Sequence, residues 1–330
     1  MNAARRTERL PADATGVARA AEILRRGGLV AFATETVYGL GADATDPAAV
    51  AGIYAAKERP RFNPLIAHLA TIEAALIEGE FDADALTLAG AFWPGPLTLV
   101  VPTAPGCTVS DLARAGLDTV ALRVPAHRLA HDLLERVGRP IAAPSANRSG
   151  RVSPTSADHV LTDLDGRIDA VLDGGPTEVG IESTIVACLR GELRLLRPGG
   201  IARPDIERVL GRALAEARPD SDEGAGAPLA PGMLASHYAP RARVRLGARS
   251  IEPGEAALLF GPQAAPGAER AQASANLSLG GDLVEAAASL FRALRSLDAS
   301  GAATIAVVPI PEHGLGEAIN DRLRRAAAPR

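Results

Sequence analysis

Apolar and polar positions alternate between two periods along this chain, and the switches between them mark out a layered α/β protein. Val17, Ala20, Ile23 and Leu24 share one face of a helix that Asp13 can cap and Gly27-Gly28 can end. Residues 29–33 are continuously apolar and predict a buried strand. Asp46-Pro47 supplies a cap and a first-turn proline for the next helix, which runs to Lys57. Further strands are expected at 65–69, 97–102, 119–124, 140–143, 169–172, 183–187 and 192–197, and helices at 82–92, 127–137, 155–163 and 203–216. Strand and helix in mixed order point to an α/β domain around a large sheet.

Residues 1–12 read as a loose arm, so the first domain is expected over 13–216. Over 217–236 the apolar period disappears and Asp, Gly, Ala and Pro dominate, which predicts a linker reaching to about residue 240. A second period-2 series follows at 243–246, 256–260, 275–279 and 304–308, with helices at 282–297 and 315–327, and predicts a small α/β domain over 241–330.

Composition narrows the function classes. At 330 residues two domains are the natural expectation, and 47% hydrophobic content suits a packed interior built from Ala, Val, Leu and Ile rather than the scarce aromatics. A net charge of −4 gives no whole-chain attraction for nucleic acid. Cys107 and Cys188 are too few for a disulfide framework and fit a reducing, cytoplasmic setting. The charged N-terminus is unlike a signal peptide, and no apolar run is long enough for a membrane span.

Lys57 is the single lysine, against 34 arginines. Either it survived an Arg-biased composition by chance, or a compact ammonium is needed where a guanidinium fork is not. Its surroundings favour the second reading, because Lys57, Arg59 and Arg61 fall within five positions before Asn63-Pro64. Four other polar segments lie beside predicted strands, at 34–41, 119–123, 143–153 and 180–184. Strand ends beside polar turns are where α/β folds place ligands. The segment with Ser145, Asn147, Arg148, Ser149, Arg151 and Ser153 suits a polyphosphate, or is a solvated loop. Arg123 within an apolar strand requires either a bound anion such as a carboxylate or a pairing Glu. His68 is a core histidine or a ligand contact, and Arg197 before Pro198-Gly199 is a phosphate contact or a surface cation. Gly39-Leu40-Gly41 misses the strand-to-helix turn a dinucleotide fingerprint needs, and His127/His131 lack the Glu of a zinc protease.

Taken together, Thr34-Glu35-Thr36-Val37-Tyr38-Gly39-Leu40, Lys57-x-Arg59, Asn63-Pro64-Leu65, Trp93-Pro94-Gly95-Pro96, Arg123-Val124-Pro125, Pro144-Ser145-Ala146-Asn147, Ser183-Thr184 and Arg197-Pro198-Gly199 resemble the YrdC-like family of threonylcarbamoyl-AMP synthases over about residues 15–212. Pro231-Gly232-Met233, His237-Tyr238-Ala239-Pro240 and the second domain resemble its longer, two-domain form. The resemblance implies a nucleotidyltransferase that converts L-threonine, bicarbonate and ATP, with Mg²⁺ carried by the ATP, into threonylcarbamoyl-adenylate and pyrophosphate. It implies L-threonine held by Thr36, His68, Arg123, Ala143 and Ser183, and ATP held by Arg59, Asn63, Thr119, Ser145, Ser153, Arg197 and Tyr238. Lys57, Arg59, Ser145 and Asn147 would be the catalytic set, with Lys57 beside the phosphates or the carbamate. A downstream complex that transfers the group to tRNA is implied as partner, a direct tRNA or double-stranded RNA contact is a further expectation, and no membrane is. Tyr238 in the linker suggests a lid over the nucleotide. The competing readings are a non-catalytic RNA-binding module with a basic face, and carbamoyl-adenylate chemistry on another acceptor.

Overall fold

A computed structural model of the chain describes residues 6–60, 63–216 and 237–329. Its first domain is built on an 11-stranded mixed sheet, and its second on a four-stranded parallel one. From edge to edge the large sheet runs Glu8–Leu10, Ala170–Leu172, Val30–Ala33, Tyr38–Asp43, Ile141–Ala142, Ile66–His68, Thr119–Arg123, Leu97–Pro102, Thr184–Leu189, Glu192–Arg197 and Ala215–Glu216. Strands such as Val30–Ala33 are apolar throughout because side chains of alternating parity pack into apolar clusters on the two faces of the sheet.

The helix ends form as the cap residues dictate. Asp13 accepts from the amides of Thr15 and Gly16, both at 2.9 Å, and starts Ala14–Arg25. Asp46 accepts from Ala48 N at 2.8 Å and, with Pro47 behind it, starts Pro47–Lys57. Glu58 then takes the left-handed conformation, which stops the helix with Lys57 on its last turn.

Three expectations are corrected. Residues 8–10 are not a loose arm: Glu8–Leu10 pairs in parallel with Ala170–Leu172, and the buried Thr7 hydroxyl donates to Ile168 O at 3.1 Å. The stretch 34–41 is polar only in its first half, since Tyr38–Asp43 is a fully buried strand antiparallel to Val30–Ala33. The helix expected over 203–216 stops at Leu210, where Gly211 turns left-handed, and Ala215–Glu216 joins the sheet edge beside Glu192–Arg197. The linker expected from residue 217 lies outside the described residues as far as 236.

The second sheet orders Arg243–Arg245, Thr304–Val307, Ala256–Leu259 and Ala273–Asn276, with helices Leu283–Ala299 and Gly316–Ala327 packed on it. Its apolar cluster also takes in Val37, Val152 and Ile181 of the first domain. The approach is close at Gly180, where a side-chain carbon would lie 2.5 Å from the Ala288 backbone. The two domains therefore share packed surface at the side of the sheet that carries the polar turns.

Candidate active site

Strand register gathers the polar residues at one end of the large sheet. Ile66–His68 runs parallel to Thr119–Arg123 with His68 opposite Arg123. Leu97–Pro102 is antiparallel to Thr119–Arg123 and parallel to Thr184–Leu189, which brings Leu97 and Thr184 to that same end. Glu192–Arg197 is antiparallel to Thr184–Leu189, so Arg197 finishes there too. The result is a narrow pocket lined by Thr36, Arg59, His68, Arg123, Ala143, Ser145, Glu182, Ser183, Arg197, His237 and Tyr238 among others. A roomier surface cleft of about 650 Å³ between Asp13–Val17 and Arg128–Arg136 contains none of them.

Inside the pocket, cations outnumber acids and most are already committed. Arg123 donates to Glu35 Oε1 at 2.6 Å, Thr36 Oγ1 at 2.9 Å and Gly95 O at 3.3 Å. The pairing glutamate that the sequence allowed for this arginine is present and buried, and the arginine also lines the pocket. Arg197 is buried rather than on the surface, and donates to Ser183 O at 2.9 and 3.1 Å and to Ser183 Oγ at 3.1 Å. Close contact here depends on Gly199, where a side-chain carbon would sit 2.4 Å from the Thr184 nitrogen. Arg59 reaches Pro64 O at 3.3 Å, but its buried Nε has no partner, and outside the lining neither has Asn63 Oδ1 or Asn147 Oδ1. Buried polar atoms left open are costly in a finished core and suit a site that a polar ligand completes.

Lys57 is almost fully buried and its Nζ donates to the backbone carbonyls of Ser145 and Asn147. Ser149 N donates back to Lys57 O at 2.9 Å. The lysine therefore holds the 145–149 turn from behind and is not part of the pocket lining. Burial holds its pKa well below the usual lysine range, and the neighbouring Arg59 charge adds to this.

Residues 22–199 match the family described as telomere recombination, which includes the Sua5, YciO and YrdC proteins, and residues 201–328 match the threonylcarbamoyl-AMP synthase C-terminal domain. The threonylcarbamoyl-AMP synthase of Bacillus subtilis is 42% identical over 98% of this chain and 96% of that protein. The synthase of Pyrococcus abyssi is 42% identical over 93% of each. The chain belongs to the threonylcarbamoyl-AMP synthase family. Among solved structures, P. abyssi Sua5 complexed with L-threonine superposes with a TM-score of 0.87 at 39% identity, covering 97% of both chains.

Of the residues that the family resemblance nominates, Thr36, Arg59, His68, Arg123, Ala143, Ser145, Ser183, Arg197 and Tyr238 meet in the pocket lining. Asn63, Asn147 and Ser153 are buried outside that lining. Thr119 stands at the far end of its strand, paired with Pro102 and four residues from Arg123. Arg61 lies outside the described residues. Sequence reasoning assigned no role to Glu35, Glu182, His237 or Arg322. The signal for Arg322 was there: Ile319, Arg322, Leu323 and Ala326 recur at helical spacing on the buried stripe of the last helix, so the arginine occupies a core position.

His68 and His237 are both enclosed, and their pKa values fall to about 3. Burial is the main cause in each, with Arg123 adding at His68, and Arg59, Lys57 and Arg197 adding at His237 against the opposing Glu182. Both are neutral at pH 7. In the unfolded chain they take up protons near pH 6.5, whereas the folded protein resists until about pH 3. Stability is therefore expected to fall as pH drops below 6.5, by about 1.4 kcal/mol per pH unit for each histidine. Urea midpoints at pH 7 and pH 5 measure this, and His68→Gln should flatten the dependence. A midpoint that does not move with pH would contradict neutral burial.

Proposed function

We propose that the protein is a threonylcarbamoyl-AMP synthase acting on L-threonine, bicarbonate and ATP. The observation that carries this reading is the convergence of Arg59, His68, Arg123, Ser183 and Arg197 at one sheet end, in a chain that matches synthases of that name over 93–98% of its length. The threonine complex of the P. abyssi structure supports the amino-acid substrate.

The chemistry needs little from the protein beyond placement. The threonine amine attacks carbon dioxide derived from bicarbonate and loses a proton, giving a carbamate. A carbamate oxygen attacks the α-phosphorus of ATP, and pyrophosphate leaves with the electron pair of the broken P–O bond. The substrate thus brings its own nucleophile, and positioning with charge neutralisation supplies the catalysis. Arg123 would hold the threonine carboxylate, beside Thr36, His68, Ala143 and Ser183. Arg59, Asn63, Thr119, Ser145, Ser153, Arg197 and Tyr238 would hold the nucleotide. Among the described residues of the lining, Glu182 is the one carboxylate, and Ser153 and Arg322 already bond it. Mg²⁺ is therefore read as travelling on the ATP phosphates. A threonine hydroxyl would be read by Thr36, Ser183 or backbone near Ala143.

No described helix is long and apolar enough to cross a membrane. We place the reaction in the cytoplasm, with a tRNA-modifying transfer complex consuming the adenylate. The test is pyrophosphate release that requires both threonine and bicarbonate. Valine in place of threonine should reduce it by roughly 10⁴, because a site built to bond a hydroxyl rejects the analogue lacking it. Absence of release would remove the reading, and RNA affinity without turnover would favour a binding module.

A further inference from the structure

The C-terminal domain places a charged side chain directly behind a residue of the pocket lining, Glu182. Arg322, on helix Gly316–Ala327, is fully buried. Its Nε donates to Glu182 Oε2 at 2.9 Å, and its Nη1 donates to Pro198 O at 2.9 Å and Asp321 Oδ2 at 2.7 Å. Its guanidinium carbon lies 5.2 Å from the centre of the Tyr238 ring, which also stacks on Phe291 at 5.5 Å. Glu182 itself lines the pocket, and its other oxygen accepts from Ser153 Oγ at 2.5 Å. One chain of contacts thus runs from the last helix through Arg322 and Glu182 to Ser153, with Tyr238 alongside.

A buried carboxylate in the wall of a polyphosphate pocket is a liability unless a cation neutralises it. Arg197 is close enough to matter, but the hydrogen bonds described for it go to Ser183. The cation bonded to Glu182 comes from the other domain. Arg295, on helix Leu283–Ala299, grips the same turn from the outside through the carbonyls of Val152 and Ser153 and a 2.7 Å pair with Asp163.

Resting on the reading of the pocket as a nucleotide site, we infer that Arg322 is a positioning residue for ATP: it neutralises Glu182, fixes the Ser153 hydroxyl through it, and so makes nucleotide binding depend on the docked C-terminal domain. Arg322→Met keeps much of the volume and removes the charge. Calorimetry on the full chain is expected to show ATP binding about tenfold or more weaker. Adding Glu182→Gln to Arg322→Met removes the charge that had lost its partner. The double variant should therefore bind ATP within about threefold of Glu182→Gln alone. Arg322→Lys, which keeps the charge but cannot repeat all three bonds, should retain more affinity than Arg322→Met.

A packing role predicts the opposite pattern, with the double variant no better than Arg322→Met and Lys no better than Met. That pattern, or unchanged affinity in a folded Arg322→Met, overturns the inference. If Arg322→Met does not fold, Arg322→Lys and the double variant decide it in the same way. The unmodified protein is the control: no ATP binding and no threonine-dependent pyrophosphate release there would defeat the nucleotide reading itself, whatever the variants do.

Discussion

Lys57→Arg is expected to lower turnover by about 10²-fold, the size of effect a misplacement of about 1 Å in the positioning groups can produce. The ammonium sits where the carbonyls of Ser145 and Asn147 converge, at the end of helix Pro47–Lys57. A planar guanidinium is wider than that point and presents its donors in a fixed fork. It would have to push the 145–149 turn towards the pocket or swing out of the buried space. Either movement displaces Ser145 from the lining and the Asn147 amide from its bonds to Arg148 O at 2.8 Å and Arg151 O at 2.9 Å. Lys57→Met should be worse for stability, because it removes the ammonium donor to the Asn147 carbonyl at a cost of about 1–3 kcal/mol, while Ser145 O keeps the Asn147 backbone amide at 3.0 Å. Pyrophosphate release and thermal unfolding, measured side by side, separate the two effects. Near-normal turnover in Lys57→Arg would return the lone lysine to compositional chance.

The strands that position the site were legible because they are short, nearly continuous apolar runs. The caps at Asp13 and Asp46 were legible because a short acidic side chain before a proline or an apolar stripe has few other uses. The strand Tyr38–Asp43 was hidden by its glycines, which weaken a strand signal yet let this strand lie against its neighbours. Edge strands such as Glu8–Leu10 and Ala215–Glu216 carry too few residues to show a period at all. For the site, motifs named the residues but not their partners. Arg123 announced a buried anion, and nothing local said whether that anion would be Glu35 or a substrate. The lining formed by Glu182, His237 and Tyr238, and the Arg322 contact behind Glu182, depend on how the two domains dock, which no single stretch of sequence encodes.

Arg123 sets the second large expectation, because one guanidinium would serve both stability and substrate. Its pair with Glu35 is buried, at 4% and 8% side-chain exposure. Arg123→Gln would leave that carboxylate enclosed without a cation, at a cost of about 3–5 kcal/mol, and should lower the unfolding temperature sharply. Glu35 also accepts from Ala126 N at 3.2 Å, so its displacement would loosen the turn after the Thr119–Arg123 strand. Arg123→Lys separates the two jobs. An ammonium can still meet Glu35, but it cannot also reach Thr36 and Gly95 in the plane the guanidinium uses. The threonine carboxylate would then lose a donor to a charged group, worth about 1.5–3 kcal/mol, or roughly a 10- to 100-fold rise in KM for threonine. KM for ATP should change far less, since the nucleotide is assigned to Arg59 and Arg197 rather than to Arg123. Steady-state pyrophosphate release with each substrate varied in turn measures the split. Equal rises in both constants would show that Arg123 only braces the sheet end, and the carboxylate contact would then have to be sought at another cation of the pocket.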